Sequence, residues 1–155
     1  MKKTAIVSCY FQHNYGSMLQ AYATQMVLDK LGYENETIDI SGFNGEIKKA
    51  KLLYFAKASL TSDILLSKLG MAKNVLIKKF SKNQYAQLSK VRADKFDEFS
   101  RKQFRLSPKY NSKAELGNKC KDNYSSVLVG SDQLWLPGNI AADYYTLNFV
   151  PETVN

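Results

Sequence analysis

The stretch Ser125-Ser126-Val127-Leu128-Val129-Gly130-Ser131-Asp132-Gln133-Leu134-Trp135-Leu136-Pro137 concentrates the groups able to do chemistry. Ser131 offers a hydroxyl, Asp132 a carboxylate that can give or take a proton, Gln133 an amide, and Trp135 is the chain's single tryptophan. Val127 to Val129 is a short apolar run of the kind expected of a strand buried on both faces of a parallel sheet. Gly130 ends it. Open α/β sheets bind ligands just beyond the carboxyl ends of their strands, so a polar cluster placed here marks a candidate site. A plainer reading has Ser131 and Asp132 capping a turn or short helix while Trp135 fills core, because Ser and Asp turns after strands are common.

A second group of polar residues follows an earlier apolar run. Lys3 to Tyr10 contains Ile6 and Val7 and reads as a buried strand. Phe11-Gln12-His13-Asn14-Tyr15-Gly16-Ser17 then reads as a loop, its Asn and Gly permitting tight turns. A helix follows, with Ser17 as N-cap, Met18, Leu19, Tyr22, Met26, Leu28 and Leu31 as its apolar face, and Gly32 at the stop position. Glu34 to Ile40 reads as a second strand with Ile38 and Ile40 on one side. Strand, loop, helix, strand is a βαβ unit with parallel strands. The loops after the first and third strands would then open on one edge of the sheet, placing Asn14, Tyr15, Gly16 and Ser17 on the same rim as Ser131, Asp132, Gln133 and Trp135.

Length and composition bound what these elements can build. At 155 residues and 45% hydrophobic content the chain suits one α/β domain with a real core. No apolar run approaches a membrane span. Met1-Lys2-Lys3 followed by Thr4 to Cys9 imitates a lipoprotein signal, but Tyr10-Phe11-Gln12-His13-Asn14 interrupts it short of the roughly 7–15 apolar residues a signal needs, so a cytoplasmic location is expected. Cys9 and Cys120, far apart in sequence, form neither a disulfide framework nor a metal knuckle, and one histidine, His13, makes no multi-imidazole metal site.

The charge is localised. Of the formal net +8, residues 43–109 carry 16 Lys and Arg against 5 Asp and Glu. Within them Ile64-Leu65-Leu66, Leu69, Val75-Leu76-Ile77, Phe80, Val91, Phe96, Phe99 and Phe104 recur at mostly helical spacings, which predicts two or three amphipathic helices inserted between the second and third strands. The lysines form either a solvated helix face or a surface attracted to an anionic one, such as a phospholipid leaflet at the inner face of the membrane or a phosphate-bearing glycan. Nucleic acid is not expected as a partner, because Tyr54, Tyr85 and the phenylalanines follow the helical core pattern and build no stacking platform. Ser112 to Lys121 reads as a brief helix behind a Ser cap, and Tyr144 to Val150 as a strand or extended edge.

Asn14-Tyr15-Gly16-Ser17-Met18-Leu19-Gln20-Ala21-Tyr22-Ala23 and Val129-Gly130-Ser131-Asp132-Gln133-Leu134-Trp135, with Tyr145, Leu147 and Phe149 following, resemble the two N-terminal signatures of the polysaccharide pyruvyl transferase family, in the family's order. The resemblance implies a bacterial enzyme of cell-surface or exopolysaccharide synthesis that transfers a pyruvyl group from phosphoenolpyruvate to two hydroxyls of a sugar as a ketal. It also implies a Rossmann-like fold similar to the N-terminal domain of a two-domain, GT-B-like transferase, with no bound cofactor and a sugar or lipid-linked glycan as acceptor. By motif correspondence Asn14, Tyr15, Gly16, Gln20, Ser131, Asp132, Gln133 and Trp135 would line the interdomain cleft. Residues 1–155 correspond to the N-terminal half alone. The family's C-terminal domain, which brings basic residues and a histidine to the donor, is not represented in this chain and would be supplied by a further segment or partner chain.

Ketal formation requires protonation of the donor's enol carbon and attack by a sugar hydroxyl, hence an acid, a base and cations for carboxylate and phosphate. Asp132 is the first candidate for proton transfer and His13 the second. Tyr15 and Trp135 could stack on a sugar ring. Two other readings stand beside this one: a non-catalytic truncated remnant or interaction module of a glycan-synthesis locus, and a small nucleotide-binding α/β protein. The last is disfavoured because no G-x-G-x-x-G or G-x-x-x-x-G-K-[ST] loop follows either strand.

Overall fold

The computed structural model describes residues 2–58, 84–130 and 133–154. Three strands, β1 (Lys3–Val7), β2 (Asn35–Thr37) and β3 (Tyr124–Val129), form a parallel sheet in the order β2-β1-β3. The central strand pairs Ala5 with Glu36 on one side and with Val127 on the other. Its burial explains its composition: Ala5, Ile6 and Val7 are inaccessible, the alternation sending Ala5 and Val7 into the main core and Ile6 to the opposite face.

Helix α1 (Tyr15–Lys30) crosses from β1 to β2. Its N-cap is Asn14, whose Oδ1 accepts the Ser17 N–H at 3.3 Å, so Ser17 lies inside the first turn and is not the cap. At the other end Gly32 takes φ +79°, where a side chain is disfavoured, and the Tyr33 N–H returns to the Leu28 carbonyl. The apolar stripe expected on α1 is only partly the packed one. Met18, Ala21 and Gln25 are buried, whereas Leu19, Met26 and Leu31 are exposed. Gln25 displaces the apolar choice because its amide donates to the Gln103 carbonyl at 2.7 Å and accepts the Arg105 N–H at 3.0 Å, joining α1 to the chain at residues 103–105.

Helices α2 (Asn44–Ala58), α3 (Gln84–Gln103) and α4 (Lys113–Asn123) lie between β2 and β3 in sequence; α2 and α3 fall in the basic segment 43–109, α3 carrying the expected Val91, Phe96 and Phe99, and α4 is the brief helix expected behind Ser112. Ile64 to Leu69, Val75 to Ile77 and Phe80 lie outside the described residues. Leaving α3, the chain runs along the outer edge of β2, where the Thr37 N–H donates to the Arg105 carbonyl and the Ser107 N–H to that of Thr37. Helix α4 starts on Ser112, whose Oγ accepts the Glu115 N–H, and Glu115 accepts the Asn111 N–H in return.

Two expectations about strands are corrected. β3 is not buried on both faces. It is the sheet's edge among the described residues, and Leu128 is 43% exposed because α1 packs over β1 and β2. Nor is Tyr144 to Val150 a strand. After helix α5 (Pro137–Ala141) the chain folds into successive turns, with Asp143 and Leu147 in the left-handed region. The Asp143 carboxylate accepts from Thr146 and Asn148, and the turns let the consecutive residues Tyr144 and Tyr145 both enter the core, which strand alternation would forbid.

The main core gathers Ala5, Val7, Ile38, Ile40, Phe43, Ile47, Leu116, Cys120, Tyr124, Tyr144 and Tyr145. A smaller cluster between α1 and α3 holds Tyr10, Met18, Ala21, Phe96 and Phe104.

Candidate functional site

β1 and β3 are adjacent and parallel, and the Gly130 N–H donates to the Val7 carbonyl at 3.0 Å. The two loops that follow them therefore leave the sheet side by side. Between them lies a cavity of about 270 Å³. The β1 loop contributes Cys9 and Gln12, the first turns of α1 contribute Ser17 and Gln20, and α2 contributes Lys51 and Phe55. Leu134, Leu136, Gly138 and Asn139 close it from the segment after β3. Gly130 fits here for lack of a side chain: a Cβ would lie 2.8 Å from the Gln20 amide nitrogen.

The floor is a neutral network. The Cys9 thiol lies 3.2 Å from the Tyr145 hydroxyl, and the Gln12 amide donates to its sulfur at 3.5 Å. Burial pushes the thiol above its usual range, outweighing the Tyr145 hydrogen bond and the positive charge of Lys51. Burial likewise raises Tyr145, reinforced by the neighbouring Cys9. Burial thereby favours the neutral thiol of Cys9. Among the described lining residues Lys51 is the one charged side chain, its Nζ 5.9 Å from the centre of the Tyr145 ring. Amides from Gln12, Gln20 and Asn139, a hydroxyl from Ser17 and an ammonium suit a ligand rich in hydroxyls that carries one anionic group.

Of the residues singled out in the sequence, Gln20 lines this cavity. Asn14 is committed to capping α1, and a Cβ on Gly16 would lie 3.3 Å from its Oδ1. His13 and Tyr15 turn to α3. The His13 Nε2 meets Asp97 Oδ1 at 2.9 Å and its ring stacks on Phe96, while Tyr15 lies against Phe96 and beneath the Arg92 guanidinium. Arg92 also donates to the His13 carbonyl at 3.0 Å. These contacts make His13 and Tyr15 a clamp between α1 and α3. Trp135 is half exposed on a 3-10 turn (Gln133–Trp135) between the lining residues Leu134 and Leu136. Ser131, Asp132 and the side chain of Gln133 lie outside the described residues.

Gln12, Lys51 and Asn139 join the site without having been singled out. Gln12 had a visible signal, its place in the loop after β1, whereas nothing distinguishes Lys51 from the other lysines of its segment before α2 is docked. No family model matches the chain, and neither does any curated protein or solved structure.

Proposed function

We propose that the chain is the acceptor-side, Rossmann-like domain of a GT-B-like pyruvyl transferase acting on a bacterial cell-surface glycan. The observation that carries this reading is the convergence of its two signature stretches: the Gln20 amide of the first lies against Gly130 of the second, beside a cavity lined by residues of both. The lining supports a sugar ligand, with neutral amides for hydroxyls, Lys51 for an anionic substituent and Phe55 as an apolar wall.

In the reaction, the donor's methylene carbon takes a proton and a sugar hydroxyl adds to the adjacent carbon. Inorganic phosphate then leaves as the second hydroxyl closes the ketal. Asp132, in the middle of the second stretch, is the group we assign to proton transfer. Lys51 alone does not neutralise the donor's phosphate and carboxylate, so the remaining cations fall to the C-terminal domain that the resemblance implies.

The test is transfer of label from [14C]phosphoenolpyruvate into an acid-labile ketal on lipid-linked glycan, with one phosphate released per pyruvyl. It uses the chain alone and the chain combined with the C-terminal domain of a polysaccharide pyruvyl transferase. Asp132→Asn keeps shape but removes charge, and transfer is expected to fall about 100-fold or more, the scale of general acid–base catalysis. Absence of transfer in both arrangements, or an Asn variant at the parent rate, contradicts the reading.

A further inference from the structure

Helix α2 carries apolar residues on its outward side. Ile47 is buried and Ala50, Lys51 and Tyr54 are half-buried on the face toward the body, whereas Leu52 and Leu53 are 69% and 52% exposed. A surface helix ordinarily presents polar residues there. The exposed lysines Lys48, Lys49 and Lys57 flank the two leucines, and Glu46 is the helix's one acidic residue, turned to the Lys113 N–H at 3.4 Å. The neighbouring segment extends the surface. Gly138 of α5 seats against the Phe55 ring, a Cβ there falling 3.1 Å from it, and Trp135, Leu136 and Ile140 beside it are each about half exposed. Leucines and a tryptophan bordered by lysines match the composition of helices that lie in a membrane interface.

We propose that this surface docks on an anionic phospholipid leaflet, with Leu52, Leu53 and Trp135 entering the boundary between headgroups and acyl chains and the lysines meeting lipid phosphates. Charge complementarity selects this occupant. Three exposed lysines of α2, Lys48, Lys49 and Lys57, against its one glutamate attract an anionic sheet, whereas a second copy of the chain would bring like charges together. Among the described residues no helix is long and apolar enough to cross a membrane. Phe55 and Leu136 belong both to this surface and to the cavity lining, so docking sets the cavity beside the leaflet. That it thereby meets a lipid-carried glycan rests on the function proposed above; the docking itself does not.

Trp135, as the only tryptophan, reports on the contact without labelling. The full chain is titrated with vesicles of phosphatidylcholine and phosphatidylglycerol, with pure phosphatidylcholine as control and neither donor nor sugar present. A negative result therefore bears on docking alone, and failed transfer bears on the enzymatic reading alone. The expected result is a blue shift of Trp135 emission on the anionic vesicles, quenching by brominated acyl chains, and reversal by 1 M salt, where the Debye length shrinks to about 3 Å. Leu52→Gln with Leu53→Gln should weaken partitioning at least tenfold, and Lys48→Gln, Lys49→Gln or Lys57→Gln by roughly fivefold each. Circular dichroism should stay unchanged in all of them, because each side chain is exposed. The proposal is overturned by any of four results: no response to anionic vesicles, binding that leaves Trp135 emission unmoved, leucine variants that bind as the parent does, or self-association in sedimentation that the leucine changes abolish.

Discussion

At the scale of single residues, two glycines show how differently the same missing methyl can matter. Gly42 approaches the backbone of Tyr110 so closely that a Cβ would lie 2.0 Å from its carbonyl oxygen, so the loop after β2 and the chain before α4 must separate to admit one. Gly130 meets only the movable end of Gln20. Gly42→Ala is expected to cost about 3 kcal/mol, at the upper end of overpacking, and Gly130→Ala less than about 1 kcal/mol in urea denaturation. Under the proposed function the Gly130 variant should nevertheless lose most transfer activity, because the Gln20 amide is pushed from its place at the cavity. Equal stability losses in the two variants would mean that Gly130 is a packing glycine and no part of a site. Residue-level roles were partly legible in the sequence. Asn14 and Gly16 read as turn formers, and their turn is the start of α1. His13 could not be placed from sequence, since its partners Phe96 and Asp97 lie more than 80 positions away on α3.

At the scale of elements, what short-range chemistry decides was readable and what docking decides was not. The Ser112 cap of α4 is a local pattern, Ser followed by Glu three residues later, and the helix starts where that pattern says. The packed stripe of α1 is a tertiary choice, made by Gln25 reaching across to Gln103 and Arg105, and no periodicity reveals it. Tyr144 and Tyr145 likewise read as strand residues until Asp143 gathers the turn around its carboxylate. The α4 cap also makes a pH prediction. The Asn111 N–H holds the Glu115 carboxyl below its ordinary value of 4.5, with Lys119 adding to the effect. A depressed pKa in the folded state contributes stability above the unfolded value that is lost as pH falls through the folded one. The parent should therefore lose more stability between pH 6 and pH 3 than Glu115→Gln, which has no carboxylate to protonate there. Parallel acid limbs in chemical denaturation would leave Glu115 without this role.

At the scale of the molecule, a three-stranded parallel sheet with its central strand buried from Thr4 to Val7 places two polar loops side by side, and α2 closes the cavity between them with the lysine that sequence alone did not distinguish. The parallel order was legible because β1 and its neighbours are short apolar or alternating runs joined by helices, and the shared rim of the two loops follows from that order. The division of labour along the rim was not. Gln20 turns into the cavity, while His13 and Tyr15, five to seven residues earlier, turn to α3. The central claim, that transfer takes place at this cavity, is tested most directly by comparing Gln20→Leu with His13→Ala in the pyruvyl transfer assay. Gln20→Leu should lower transfer at least tenfold with the fold intact by circular dichroism, and His13→Ala should stay within about twofold of the parent. Loss of transfer in the His13 variant with Gln20→Leu unaffected would contradict the account and move the chemistry to the face between α1 and α3.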